Sequence, residues 1–262
     1  MAGGGQQIKI QIPPGKKIYF ASDQHLGAPN AEESLAREKR FVKWLDEIKS
    51  DCEVLFLLGD LFDFWFEYKQ VVPRGFVRVL GKLAELSDSG IQIYFFTGNH
   101  DLWMKDYLEK EIGATIFHNR QVFEINQKKF FIAHGDGLGP GDKGYKRMKK
   151  LFRNRFAQFL FYLLHPDFAV WLGINMSRKN KLISGDEDVK FLGEEKEWLA
   201  VYAKKKLEAE HFDYFVFGHR HLPLEIDLNQ NSKYVNLGDW VNYFTYAVFD
   251  GNDLKLETYV AE

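Results

Sequence analysis

Five times along the chain, an apolar run of strand character ends in a loop rich in metal-ligating residue types. KIYFAS leads to Asp23-Gln24-His25, VLFLL to Gly59-Asp60 and IQIYFFT to Gly98-Asn99-His100-Asp101. KKFFIA leads to His134-Gly135-Asp136, and DYFVF to Gly218-His219-Arg220-His221. Between the early runs, Phe41, Trp44, Leu45 and Ile48 recur at helical spacing in residues 33–48. Val79, Leu80, Leu83 and Leu86 do so in residues 76–86, with Gly90 as a stop. This alternation predicts βαβ units. Open α/β sheets bind ligands beyond the carboxyl ends of their strands, so the pattern brings all five loops to one edge.

The donor set is Asp, Asn and His with no Cys. It suits hard or borderline divalent ions: Mn first, with Mg, Fe or Zn also compatible. A lone His at a strand end is more often structural. Here five of the eight histidines fall inside the motifs, and only His118, His165 and His211 lie outside and receive no metal role. Two ions about 3.5–4 Å apart can share a carboxylate, activate water and neutralise phosphate charge. A neutral Asn carbonyl can ligate without repelling phosphate. His100 is placed to donate a proton or hydrogen bond to a phosphate oxygen, with Asp101 as its orienting partner. Asp136 is expected to support its loop. Asp63 and Asp239 each read as a helix cap or as a group supporting a ligand.

After Gln121 the pattern turns strand-rich. Asn126-Gln127 is placed to close a hairpin, and LEIDL, KYVNL, TYAVFD and LKLETYV read as late strands. The expected architecture is α/β, with two packed β-sheets flanked by helices in four layers (α/β/β/α). A helical insertion at 140–200 belongs to one domain spanning 1–262. With 35 Lys+Arg against 37 Asp+Glu, the chain gives no global case for nucleic-acid binding. A single Cys, Cys52, excludes a disulfide framework. The N-terminus has no apolar signal core and no run of about 20 apolar residues spans a membrane. The cytoplasm is the expected location.

Aromatic residues make up 16% of the chain and concentrate in the insertion. A basic stretch (Lys143, Lys146, Arg147, Lys149, Lys150, Arg153, Arg155) precedes an apolar one. Phe152, Phe156, Phe159 and Leu163 follow helical spacing, His165-Pro166 breaks the helix, and a second helix is expected through Trp171. Packing on the sheet would explain any single aromatic here. Basic residues beside an apolar helix pair suit an anionic amphiphile or a peripheral anionic membrane surface. A protein interface competes for the same apolar surface. The segments 65–69 and 72–76 read either as another wall of the pocket or as simple packing.

The ordered motifs D-x-H, GD, GNHD, H-G-D and GHxH resemble the calcineurin-like metallophosphoesterase superfamily across residues 17–239. The resemblance implies one metal on Asp23, His25, Asp60 and His221 and a second on Asp60, Asn99, His134 and His219, with Asp60 bridging. His100 would stand near phosphorus without binding metal. Within the superfamily, GDLFDFW, the H-G-D-x-L run and a helical insertion before GHxH resemble the UDP-2,3-diacylglucosamine diphosphatases of lipid A biosynthesis. These are peripheral on the inner membrane and release UMP and a lipid sugar 1-phosphate. That resemblance makes the insertion an acyl-chain cap and matches Asp142, Ser177, Asn180 and Lys181 to substrate-binding positions. Those enzymes commonly carry Arg where this chain has His100. The competing expectations are a phosphoesterase of nucleotides or other small phosphates, and a membrane- or protein-binding scaffold with structural metals.

Overall fold

The computed structural model describes residues 8–139, 143–184 and 190–260. In chain order the strands are β1 (Ile8–Ile10), β2 (Lys17–Ala21), β3 (Cys52–Leu57), β4 (Gln92–Phe96), β5 (Thr115–Phe117) and β6 (Gln121–Ile125). They continue with β7 (Lys128–Ile132), β8 (Tyr214–Phe217), β9 (Pro223–Asn229), β10 (Ser232–Leu237), β11 (Thr245–Phe249) and β12 (Leu254–Thr258). They form two six-stranded sheets, β12-β11-β2-β3-β4-β5 and β1-β6-β7-β8-β10-β9. Every strand that leads into a motif lies inside its sheet, and β2, β3 and β4 pair in parallel, as do β7 and β8.

Period-two alternation within the apolar runs explains the layering. Ile18, Phe20, Val54, Phe56, Tyr94 and Phe96 meet Phe130, Ile132, Tyr214 and Val216 in the core between the sheets. Their neighbours Tyr19, Ala21, Leu55, Leu57, Ile93 and Phe95 point outwards to a second core. There α1 (Ala31–Ile48), α2 (Val77–Asp88) and α3 (Tyr107–Ile112) cover the first sheet. Phe131, Ala133, Phe215 and Phe217 likewise point to α7 (Trp198–Leu207). Strands covered on both faces must be apolar at nearly every position, and these are. The four-layer α/β arrangement is therefore as expected. The β6–β7 hairpin turns at Asn126 and Gln127, both at positive φ (45° and 67°), the geometry of a type I′ turn.

Between β7 and α7 runs the helical insertion: α4 (Lys143–Phe152), α5 (Arg155–Tyr162) and α6 (Pro166–Ser184). Its boundaries differ from the expectation in two ways. Phe152 ends α4, and Asn154 starts a separate helix by accepting from the amides of Phe156 and Ala157. The α6 helix passes Trp171 and the polar residues after it, ending at Ser184. Gly173 lies where α6 crosses Phe64, and any Cβ there would run into that ring.

The insertion divides its aromatics. Phe152 and Phe161 pack against Trp103, Phe161 also against Phe64 and Phe66, and Tyr162 against Tyr68. Phe156, Phe159, Leu160, Leu163, Phe168 and Trp171 face solvent. Among the described residues, no helix is long and apolar enough to cross a membrane.

Candidate metal centre

The loops after β2, β3, β4, β7 and β8 converge as the pattern required. Their backbones are unusual: Asp23, His25, Asp60, His219 and His221 all have positive φ, between 44° and 70°. Non-glycine residues take this region at a cost and cluster there at functional sites. Local bonding holds them in place. Asp23 N donates to Gly59 O at 3.0 Å and His25 N to Asp60 O at 2.9 Å. The buried Arg37 guanidinium donates to the carbonyls of Gln24, His25 and Ala28 at 3.2, 2.8 and 3.0 Å. Gly98 admits the Asp60 carboxylate, which any Cβ there would overlap.

Two clusters form. In the first, Asp23 Oδ1 lies 3.8 Å from His25 Nε2 and 3.5 Å from His221 Nε2, and the two imidazole nitrogens are 3.2 Å apart. In the second, Asp60 Oδ2 lies 3.4 Å from His134 Nε2, which is 3.2 Å from Asn99 Oδ1, and His219 completes the group. Asp60 Oδ2 is also 3.8 Å from His25 Nε2, so this carboxylate stands between the clusters. Its Oδ1 accepts from His100 N at 2.8 Å.

The ring nitrogens turned away from these clusters fix the tautomers. His134 Nδ1 donates to Leu58 O at 2.6 Å, His221 Nδ1 to Asp239 Oδ2 at 3.1 Å, and His25 Nδ1 faces Asp63 Oδ1 at 3.3 Å. Each ring thus turns its Nε2 edge to the cluster, the arrangement metal-ligating histidines use. Asp239 also accepts from the amides of Val241, Asn242 and Tyr243 in the turn that follows, where no helix starts, so it supports His221 and caps no helix.

The donor set fits cations. Asp23 Oδ1 is fully buried with no hydrogen-bond donor, a costly arrangement that a cation relieves. Burial alone would raise the Asp23 carboxyl, yet the His221 and His25 imidazoles hold it well below the usual range. Burial would lower His134, but the Asp60 carboxylate outweighs it and pushes the ring up to about 10. His219, buried beside His134, falls to about 4. The negative potential that holds a proton on His134 is one a divalent ion would satisfy.

His100 stands beside both clusters, its ring 4.7 Å from that of His25. Its Nδ1 lies 2.9 Å from Asp63 O and 3.0 Å from Ser177 Oγ. Sequence adjacency makes Asp101 the expected orienting partner, and the structure corrects this. The Asp101 carboxylate instead accepts from Gly98 N at 2.7 Å and Leu61 N at 3.0 Å, tying the β3 and β4 loops together. Its pKa rises to about 7, through burial first and then the Asp60 charge. Asp136 supports its loop, accepting from Lys149 of α4 at both its carbonyl (3.2 Å) and its carboxylate.

Of the residues matched to substrate positions, Ser177 is buried and touches Asp63 and His100. Asp142, and the side chains of Asn180 and Lys181, lie outside the described residues. Sequence reasoning gave no role to Arg37 or to Glu197, which grips Arg220 between the last two His residues at 3.1 and 3.2 Å. Buried charge at a polar position of an apolar helix face is the signal Arg37 carried.

The sequence profile of the calcineurin-like phosphoesterases matches residues 16–223. A curated relative from Porphyromonas gingivalis, named UDP-2,3-diacylglucosamine hydrolase, is 42% identical over 257 residues, covering 92% of this chain and 97% of its own length. A protein of the same name from Neisseria meningitidis is 27% identical over 238 residues, covering 90% and 95%.

Proposed function

The chain belongs to the calcineurin-like phosphoesterase family, and from that premise we propose that it hydrolyses the pyrophosphate of UDP-2,3-diacylglucosamine to UMP and 2,3-diacylglucosamine 1-phosphate. The observation that carries this reading is the near-full-length similarity to a relative bearing that substrate in its name. Asp23, His25, Asp60 and His221 would hold one divalent ion, and Asp60, Asn99, His134 and His219 the other, with manganese as the first choice. Bound there, the ions would supply an activated water and neutralise phosphate charge. Asp60 would be the shared ligand, since its Oδ2 faces both clusters. His100 presents its ring to the phosphoryl group and stabilises charge or passes a proton to a phosphate oxygen.

The insertion belongs to the same single domain and serves as the acyl-chain cap. Its exposed Phe156, Phe159, Leu163 and Trp171 supply apolar surface that a water-soluble phosphoester cannot use. Its basic residues suit the anionic face of a membrane, where the enzyme would sit peripherally on the cytoplasmic side. Asp142, Asn180 and Lys181 complete the proposed substrate contacts.

The test is turnover with Mn of UDP-2,3-diacylglucosamine, UDP-glucose and a p-nitrophenyl phosphodiester. The diacylated substrate is expected to exceed both others in kcat/KM by more than tenfold. Equal or better turnover of the small diester would instead make the protein a general phosphoesterase.

A further inference from the structure

Ser177 sits on α6, in the insertion, yet its hydroxyl reaches into the phosphoesterase core. Its Oγ lies 2.9 Å from Asp63 Oδ2 and 3.0 Å from His100 Nδ1. The chemistry of these partners places the protons. A carboxylate only accepts, so the Ser177 O–H donates to Asp63. The Asp63 carbonyl, 2.9 Å from His100 Nδ1, also only accepts, so that nitrogen carries a proton. The same N–H is shared with the Ser177 lone pair. His100 is thus held with Nδ1–H turned to Asp63 and Ser177, and these contacts set the orientation of the ring. Asp63 is itself fixed: its N donates to Leu26 O at 2.9 Å and its Oδ1 faces His25. Ser177 is 7% exposed. A side chain so buried, with both hydroxyl functions used by the protein, is poorly placed to read a sugar.

We propose that Ser177 is a positioning residue for His100, so that the seating of helix α6 sets the rate of the chemical step itself. Building on the phosphoesterase reading but not on the lipid, this makes the insertion part of the reaction for every substrate, including those with no acyl chain. A second polar anchor, Lys149 on Asp136, holds α4 to the loop after β7 through a different pair of residues. It provides the control.

The experiment uses the full chain and a p-nitrophenyl phosphodiester beside UDP-2,3-diacylglucosamine. Ser177→Ala is expected to lower kcat by about 10–100-fold on both substrates, the usual cost of losing an orienting partner, with the KM of the diester unchanged. Ser177→Thr, which keeps the hydroxyl, is expected to restore most of the rate. In the Zn-loaded protein, the His100 Nδ1–H signal in a ¹H–¹⁵N spectrum should move in Ser177→Ala and stay in place in Lys149→Met. The proposal is overturned if Ser177→Ala raises only the KM of the lipid and leaves the diester untouched, which would make Ser177 a substrate contact. It is equally overturned if Thr loses as much as Ala, or if the His100 signal does not move. The spectrum needs no turnover, so it tests the Ser177–His100 contact even if the lipid proves not to be the substrate.

Discussion

The sandwich and the insertion draw on the same aromatic residue types and use them in opposite ways. In the sandwich, Phe20, Phe56 and Phe123 are fully buried, and Phe20 and Phe56 stack at 4.8 Å. In the insertion, Phe156 is 68% and Leu163 64% exposed. Burying a large apolar side chain stabilises a fold by about 1.5–3 kcal/mol, and the insertion forgoes that gain at several positions. It still has a seat, built by Phe152, Phe161, Tyr162 and Gly173 against Phe64, Phe66, Tyr68 and Trp103. One region thus commits its apolar surface to holding the metal-binding edge, while the other leaves apolar surface exposed.

That contrast predicts where substitutions bite. The largest effect belongs to the metal-binding edge: Asp60→Ala is expected to abolish turnover and lose at least one ion by metal analysis, with the fold retained. Full metal content and normal rate would remove Asp60 as the bridge. Next, His100→Ala should keep both ions and lose about 10²–10⁴ in kcat. His100→Arg should retain more activity than Ala, because Arg also stabilises phosphate charge. Loss of metal in His100→Ala would make it a ligand instead.

A matched pair then separates the two regions by stability. Phe56→Ala should cost about 3–5 kcal/mol in denaturant unfolding. Phe156→Ala should stay within about 0.5 kcal/mol; a large loss there would mean that Phe156 is buried in solution.

The smallest effect is a proton count. His134 is raised to about 10 although burial opposes it, because Asp60 lies beside it. At pH 7 the ring therefore holds two protons, and ligation requires it neutral. Metal uptake should release a proton, and affinity should rise with pH towards 10 and weaken below neutrality. Titration calorimetry in buffers of different ionisation enthalpy would read this release, and no release at pH 7 would show His134 already neutral.

The sandwich was legible because its strands are apolar at consecutive positions, and the ligand loops because each carries its donors within a few residues of a strand end. Pairings across the chain were not. Ser177 meets Asp63 across 114 residues, and nothing near either residue signals the other. Asp101 adjoins His100 in sequence, which suggests a partnership, but its carboxylate is turned to the amides of Gly98 and Leu61. In the insertion, Asn154 is a good helix cap, but the apolar spacing runs on across it and hides the break. The second helix expected from the sequence reaches only Trp171, short of the polar residues after it. They continue α6, whose position is set by the close approach of Gly173 to Phe64, a tertiary contact that overrides local preference.

The division of labour between the two regions meets its most direct test in one measurement: kcat/KM of a Phe156→Ser/Phe159→Ser double variant on UDP-2,3-diacylglucosamine and on a p-nitrophenyl phosphodiester. Each acyl methylene buried on the cap contributes about 0.8 kcal/mol before ordering costs, so losing a few lowers kcat/KM more than tenfold. A fall of that size is expected on the diacylated substrate, with little change on the diester. Equal falls on both, or none on either, would contradict the division.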